Sequence, residues 1–247
     1  MLFFNKSKSL PRLFYTTDLH SHVCPGIDDG SPNRERSVIL VRGMWELGFR
    51  RMIVTPHVTD EIFPNTPDIL SSSYYRLTDA VEAAGIPMEF KYSAEFRMDD
   101  LFNDLLRANL VRPLPGGKYI LVECGWLQPP LYLSELIYTL RNDYGWIPIL
   151  AHPERYPYYQ RNTDRYLQLH EAGMLFQVNL LSLAGHYDSA CKKAAEWLLE
   201  NNLVSFVGSD LHRSSHLDSI RRYLTSRDYR KLEDKADLIL NDTAFEF

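Results

Sequence analysis

Glycine-rich phosphate loops, paired cysteines, basic runs and long apolar stretches are all missing from this 247-residue chain. The three cysteines, Cys24, Cys124 and Cys191, have neither the number of a disulfide framework nor metal-type spacing, which points to a reducing, cytoplasmic setting. None of them begins a Cys-x5-Arg anion loop, because the offset positions hold Gly30, Pro130 and Trp197. Pro115-Gly116-Gly117-Lys118 lacks the spacing and the following hydroxyl residue of a nucleotide-binding P-loop. The formal net charge of −5 leaves no basic excess of the kind a generic nucleic-acid binder shows. No apolar run approaches the roughly 18 residues of a membrane span. The first residues also lack the order of charge, apolar stretch and small-residue cleavage site that marks a secretory signal.

What is present is the composition of a globular protein, 45% hydrophobic and 24% charged, enough apolar material for a sizeable core. Short β-rich runs at 13–19, 51–55, 90–94, 119–122, 147–151, 175–178 and 204–208 alternate with helical patterns at 34–47, 69–84, 99–108, 131–144, 163–172 and 189–200. Two further helical patterns, at 217–225 and 228–238, finish the chain. Gly48, Gly85, Gly145 and Gly173 stand just past helical runs, where left-handed caps are expected. Strands alternating with helices imply a parallel sheet with right-handed crossovers. With about seven β/α units and no dinucleotide fingerprint, the pattern favours a closed barrel over an open doubly wound sheet. The expectation is an α/β fold, a single barrel domain at 13–247 preceded by an extension at 1–12.

In such a barrel the chemistry gathers at the C-terminal strand ends. Those ends read Asp18-Leu19-His20-Ser21-His22, Thr55-Pro56-His57, Ala94-Glu95, Val122-Glu123, His152-Pro153-Glu154-Arg155, Asn179 and Ser209-Asp210-Leu211-His212. Residues two apart on a strand project to one side, so His20 and His22 converge on one ion, and Asp210 and His212 enter the same cavity. Imidazole with carboxylate suits zinc, manganese or iron. Bland readings exist for each residue alone: Asp28 and Asp29 as turn formers, Ser31 as a helix cap, Glu95 and Glu123 paired with Arg97 or Arg112. Histidine or acid at six of seven strand ends outweighs them together. His170, His186 and His216, on or beside helices, are expected to be surface or capping residues.

With these motifs in view, the chain resembles the PHP (polymerase and histidinol phosphatase) superfamily, and within it the bacterial CpsB/YwqE-like tyrosine phosphatases of capsule and exopolysaccharide loci. The carrying residues are His20-Ser21-His22, PGIDDG at 25–30, Thr55-Pro56-His57, Glu95, Glu123, HPER at 152–155 and GSDLH at 208–212, in family order. The resemblance implies a distorted (β/α)7 PHP-type barrel with three divalent ions, manganese first and zinc or iron as alternatives. By motif position His20, His22, Glu95 and Asp210 would hold one ion. Glu95, bridging, would hold the second with Glu123 and His152, and Asp29, His57 and His212 would hold the third. Arg155 matches the arginine that grips phosphate. Leu217 stands where the family has another arginine, and Arg213 is the candidate substitute. The segment after His57, VTDEIFPNTPD, is acidic where relatives are basic, and Glu123 is followed by CGW rather than an aromatic and proline.

The implied activity is hydrolysis of phosphotyrosine on protein. The substrate would be the Tyr-rich tail of a bacterial tyrosine kinase controlling polysaccharide export, and an oligomer is compatible with it. Three divalent ions would outweigh the four carboxylates by about two charges, a balance suited to hydroxide and a phosphate ester. The alternatives are a histidinol-phosphate or other small phosphomonoester phosphatase, a metal-dependent nuclease, and a metal-loaded binding module without turnover.

Overall fold

The computed structural model describes residues 13–247, and the expected extension at 1–12 lies outside the described residues. The strand segments are β1 (Thr17–Asp18), β2 (Arg51–Val54), β3 (His57–Val58), β4 (Glu89–Tyr92), β5 (Glu95–Arg97), β6 (Tyr119–Glu123), β7 (Ile147–Ala151), β8 (Leu175–Asn179) and β9 (Val204–Gly208). The helices are α1 (Arg34–Leu47), α2 (Pro67–Ala83), α3 (Asp100–Arg107), α4 (Leu133–Asn142), α5 (Pro157–Gln160), α6 (Asp164–Glu171), α7 (Leu180–Leu183), α8 (Ser189–Glu200), α9 (Ser214–Leu224) and α10 (Tyr229–Glu233).

All ladder pairings are parallel, in the orders β1-β2-β4 and β3-β5-β6-β7-β8-β9. The two sheets are one surface with a bend. β2 and β3 are halves of one strand interrupted at Thr55-Pro56, and β4 and β5 are halves of the next, interrupted at Ser93-Ala94. Pro56 has no N–H for a ladder, yet its carbonyl still accepts from Glu95 N at 3.1 Å, so the pairing resumes beyond the break. A parallel bridge between Ser21 and Leu211 joins the first strand to the last and closes the ring. Seven strands in a closed ring are thus what the alternating pattern called for, and the distortion is what the resemblance implied.

Near the bottom of the closure, side chains replace a ladder. Asn241 accepts from Val207 N and donates to the carbonyls of Thr17 and Val207, while Asp242 accepts from Thr16 N and Thr17 N. The same C-terminal segment sends Phe245 into an apolar cluster with Leu121, Ile149 and Phe206. Leu121 and Glu123 share one face of β6, so the cluster is the apolar floor beneath a polar mouth. A larger core lies between strands and helices, where α1 buries Leu40, Val41, Met44 and Leu47.

Helix ends follow local chemistry. Asn33 caps α1, its side chain accepting from Arg36 N, whereas Ser31, for which a capping role is one bland reading, donates its Oγ–H to Asn33 O. Thr66 caps α2 with Pro67 in the first turn, and Asp188 caps α8. The four expected glycines all have positive φ, between 66° at Gly85 and 108° at Gly48.

Candidate metal centre

Nine side chains from six of the seven strand ends meet at the barrel mouth. Glu95 is their centre. It is fully buried, with His20 Nε2 and His22 Nε2 at 3.3 and 3.4 Å from Oε2. His57 Nδ1 lies 3.0 Å from the same oxygen, and His152 Nε2 lies 2.9 Å from Oε1. Despite these distances neither Glu95 oxygen accepts an aligned hydrogen bond. Two buried carboxylate oxygens facing four ring nitrogens without donors is costly in protein alone and is the arrangement a cation satisfies.

Three groupings are close enough to share an ion: His20, His22 and Glu95; His57, Glu95 and Glu123; and His22, Asp29, His57 and His212. Asp210 Oδ1 stands 3.7 Å from His20 Nε2 and 3.5 Å from His22 Nε2, beside the first grouping. The His57 ring faces two ways, Nδ1 toward Glu95 and Glu123 and Nε2 toward Asp29 at 3.6 Å. His212 Nε2 is 3.3 Å from Asp29 Oδ1.

A further layer of polar residues orients this set. His20 Nδ1 bonds Gln177 Oε1 at 2.6 Å and His22 Nδ1 bonds Asp28 Oδ2 at 2.8 Å, which leaves both Nε2 lone pairs for the centre. Asp28 is therefore more than a turn former, although its Oδ1 also accepts from Gly30 N. Asp210 Oδ2 accepts from Arg155, Asn179 and Tyr187, so that Oδ1 faces the histidines. Asp18, itself pushed up to about 6 by burial, accepts from the backbone and hydroxyl of Ser209 and fixes the turn before Asp210. Asp210 and His152 both take left-handed backbone, φ 48° and 37°, a strain the surrounding bonds hold. Gly208 is the close approach that makes room: a Cβ there would lie 2.8 Å from His20 Cβ and 2.7 Å from Gln177 Nε2.

Electrostatics shows what the cluster does without ions. Burial alone would lower the His20 pKa, but Glu95 and Asp210 raise it to about 9. Burial likewise opposes the shift of His57, which the nearby charges of Glu95 and Glu123, 3.0 and 3.4 Å from Nδ1, carry upward. Glu95 is held well below the carboxylate range against its burial by His20, His57 and His152. Without ions, protonated imidazoles would take the place of cations, and loading the centre would release those protons.

The cavity above is about 390 Å³ and is walled by aromatics. Phe63 stacks on His57, 5.8 Å between centroids, and Trp126 stacks on His152 at 5.9 Å. Arg155 enters with its guanidinium between Trp126 and Tyr187, 4.7 and 4.4 Å from the ring centroids, and its Nη1 on Asp210 at 2.8 Å. Arg213 lines the rim, exposed. His186 and His216 also line this cavity, contrary to the surface or capping role read from the sequence; the chain after β8 and the start of α9 bend over the mouth. The pairing of Glu95 or Glu123 with Arg97 or Arg112 is not formed: both acids face His57, and Arg112 stacks on Tyr92. The cysteines are buried, and burial pushes Cys124 up to about 12 and Cys191 up to about 11, which leaves no thiolate nucleophile.

Comparison with known proteins agrees with this geometry. The chain is 30% identical over 239 residues to the tyrosine-protein phosphatase YwqE of Bacillus subtilis, covering 92% of this chain and 93% of that protein. It is 27% identical over 218 residues to the tyrosine-protein phosphatase CpsB of Streptococcus pneumoniae, covering 84% and 86%. Among solved structures, a chain from the crystal structures of YwqE and CpsB, described there as metal-dependent tyrosine phosphatases, superposes with a TM-score of 0.79 at 28% identity, covering 93% of this chain and 96% of that one. A lactonase from Listeria monocytogenes, at 13% identity and a TM-score of 0.52, shares the fold alone. The model of the capsular polysaccharide synthesis family CpsB/CapC matches residues 16–240, and the chain belongs to that family.

Proposed function

We propose that the protein is a metal-dependent phosphatase that hydrolyses phosphotyrosine on protein. The carrying observation is Glu95, both oxygens stranded among four imidazoles at the floor of a cavity that Arg155 enters. The relatives' activity and the family's link to capsule synthesis support the reading. Three divalent ions fit the donors, manganese foremost and zinc or iron as alternatives. His20, His22, Glu95 and Asp210 would hold the first; Glu95, Glu123 and His152 the second; Asp29, His57 and His212 the third. When bound, the ions supply Lewis-acid charge for phosphoryl oxygens and acidify water near neutral pH.

The chain's own residues do the rest. Arg155, made rigid by two rings and Asp210, presents its remaining N–H groups to a phosphate oxygen. Phe63 and Trp126 flank the path to the centre and receive an aryl group, which favours a phenolic over an aliphatic ester. The physiological substrate is the phosphorylated tail of a tyrosine kinase that controls polysaccharide export, met in the cytoplasm. No helix of the described residues is long and apolar enough to cross a membrane.

The test is phosphate release from a phosphotyrosine peptide, a matched phosphoserine peptide and histidinol phosphate, with the metal-loaded protein. Preference for phosphotyrosine is expected; faster turnover of histidinol phosphate would replace this reading with a small-metabolite phosphatase. A smaller effect comes from the orienting residues. Asp28→Ala frees the His22 ring and is expected to weaken metal retention about 10- to 100-fold, read as metal content after dialysis against a competing chelator.

A further inference from the structure

Arg97 ends β5 two residues beyond Glu95, so both side chains leave the same face of the strand and enter the barrel mouth. Its register partner on β6 is Glu123, an acid placed where a structural ion pair would form. None forms: Glu123 and Glu95 face His57, and no described carboxylate pairs with the Arg97 guanidinium. Asp99 feels the arginine's charge but forms no ion pair with it; its oxygens accept from Phe102 N and Asp60 N at the start of α3. Arg97 Nε is buried without an acceptor. A guanidinium with an unsatisfied buried donor is expensive unless an anion completes it.

Arg155 differs. One of its nitrogens is committed to Asp210 and its faces are covered by Trp126 and Tyr187. Arg97 is free, and it enters the same cavity from the third strand of the barrel while Arg155 follows the fifth. Both guanidinium groups therefore line one cavity of about 390 Å³, and two such forks can serve one tetrahedral dianion.

We propose that Arg97 is a second phosphate-binding residue, donating to a non-bridging oxygen of the substrate's phosphoryl group opposite the hold of Arg155. The assignment rests on the phosphatase reading, and its test separates the two. Metal-loaded wild type, Arg97→Ala and Arg97→Lys are compared in three measurements: affinity for inorganic phosphate by calorimetry, kcat/KM on a synthetic aryl phosphate and on a phosphotyrosine peptide, and bound metal. Arg97→Ala is expected to weaken phosphate binding and both kcat/KM values about 10- to 100-fold with metal content unchanged. Arg97→Lys recovers part of the loss, since charge without a fork remains, and added guanidinium ion partly rescues Arg97→Ala. A loss confined to the peptide, unchanged phosphate affinity, or loss of metal would each overturn the assignment. Should Arg97→Ala fail to fold, the near-isosteric lysine variant carries the same comparison. Wild type without aryl phosphatase activity would remove the functional reading, while the calorimetry would still decide whether Arg97 binds phosphate.

Discussion

Replacing Glu95 by alanine is expected to lower kcat/KM for an aryl phosphate by about a thousandfold or more, the largest effect of any single side chain. Its two oxygens are the meeting point of His20, His22, His57 and His152, and two of the three metal groupings contain it. On the proposed ligand set, losing the shared carboxylate would remove a charge from two ions at once, and metal charge at a phosphoryl centre is worth several kcal/mol, with each ~1.4 kcal/mol a factor of ten in rate. Glu95→Gln is the sharper variant. It keeps the shape but puts an N–H₂ among ring nitrogens that need a negative partner. Both variants are expected to lose bound metal while the protein stays folded, because the apolar floor beneath the site, with Leu121, Ile149 and Phe206, does not depend on Glu95. Near wild-type turnover by either variant would remove Glu95 from the centre of the mechanism.

The gathering of these side chains at one mouth was legible because strand chemistry and ligand chemistry share a period. His20 and His22, or Asp210 and His212, are two apart, and each set follows an apolar run, so the alternation that marks a strand also aims its terminal side chains at one mouth. The helices were legible from caps and periodicity, and α1 and α8 fall on the residues expected. The bend at Thr55-Pro56 and Ser93-Ala94 was not, since a run such as 51–55 reads as one strand whether or not its hydrogen bonds change partner. Nor were the short turns at Pro157–Gln160 and Leu180–Leu183, which are too brief to show a helical period.

The residues that sequence reasoning missed at the site share a reason: they act through geometry with distant segments. Gln177 bonds a histidine 157 positions away, and nothing near Gln177 announces it. Tyr187 and Trp126 make a sandwich whose filling, Arg155, belongs to neither neighbourhood. His186 and His216 were set aside for lying beside helices, yet chain direction after β8 brings them to the cavity. Asp28 carried a signal, since an acid six residues after a histidine can orient it, but Asp28-Asp29-Gly30 also satisfies a turn, and that explanation was sufficient locally.

Removing the ions is expected to abolish turnover and to make stability pH-dependent in a direction the site dictates. In the metal-free protein His20 is raised to about 9 from 6.5, so its contribution to stability is complete below pH 6.5 and is lost as pH rises through 9. His57 and His212, also raised, act with the same sign. Glu95 and Asp210, depressed, contribute above the ordinary carboxylate range and lose that contribution as pH falls. Asp18, half-titrated near pH 6, completes its ionisation in the lower part of that window, but it lies outside the ligand groupings and acts on loaded and chelated protein alike. Between pH 6.5 and 9 the metal-free centre therefore sheds protons and leaves its carboxylates repelling, whereas bound cations hold the same carboxylates at either pH. The difference in Tm between manganese-loaded and chelated protein should be wider at pH 9 than at pH 6.5. Ionisation of the buried cysteines on unfolding weakens both forms alike and cancels in that difference. Activity on an aryl phosphate should vanish with complete chelation and return with added manganese. A Tm difference that narrows with rising pH, or turnover that survives metal removal, would mean that protons and cations do not compete for the space around Glu95.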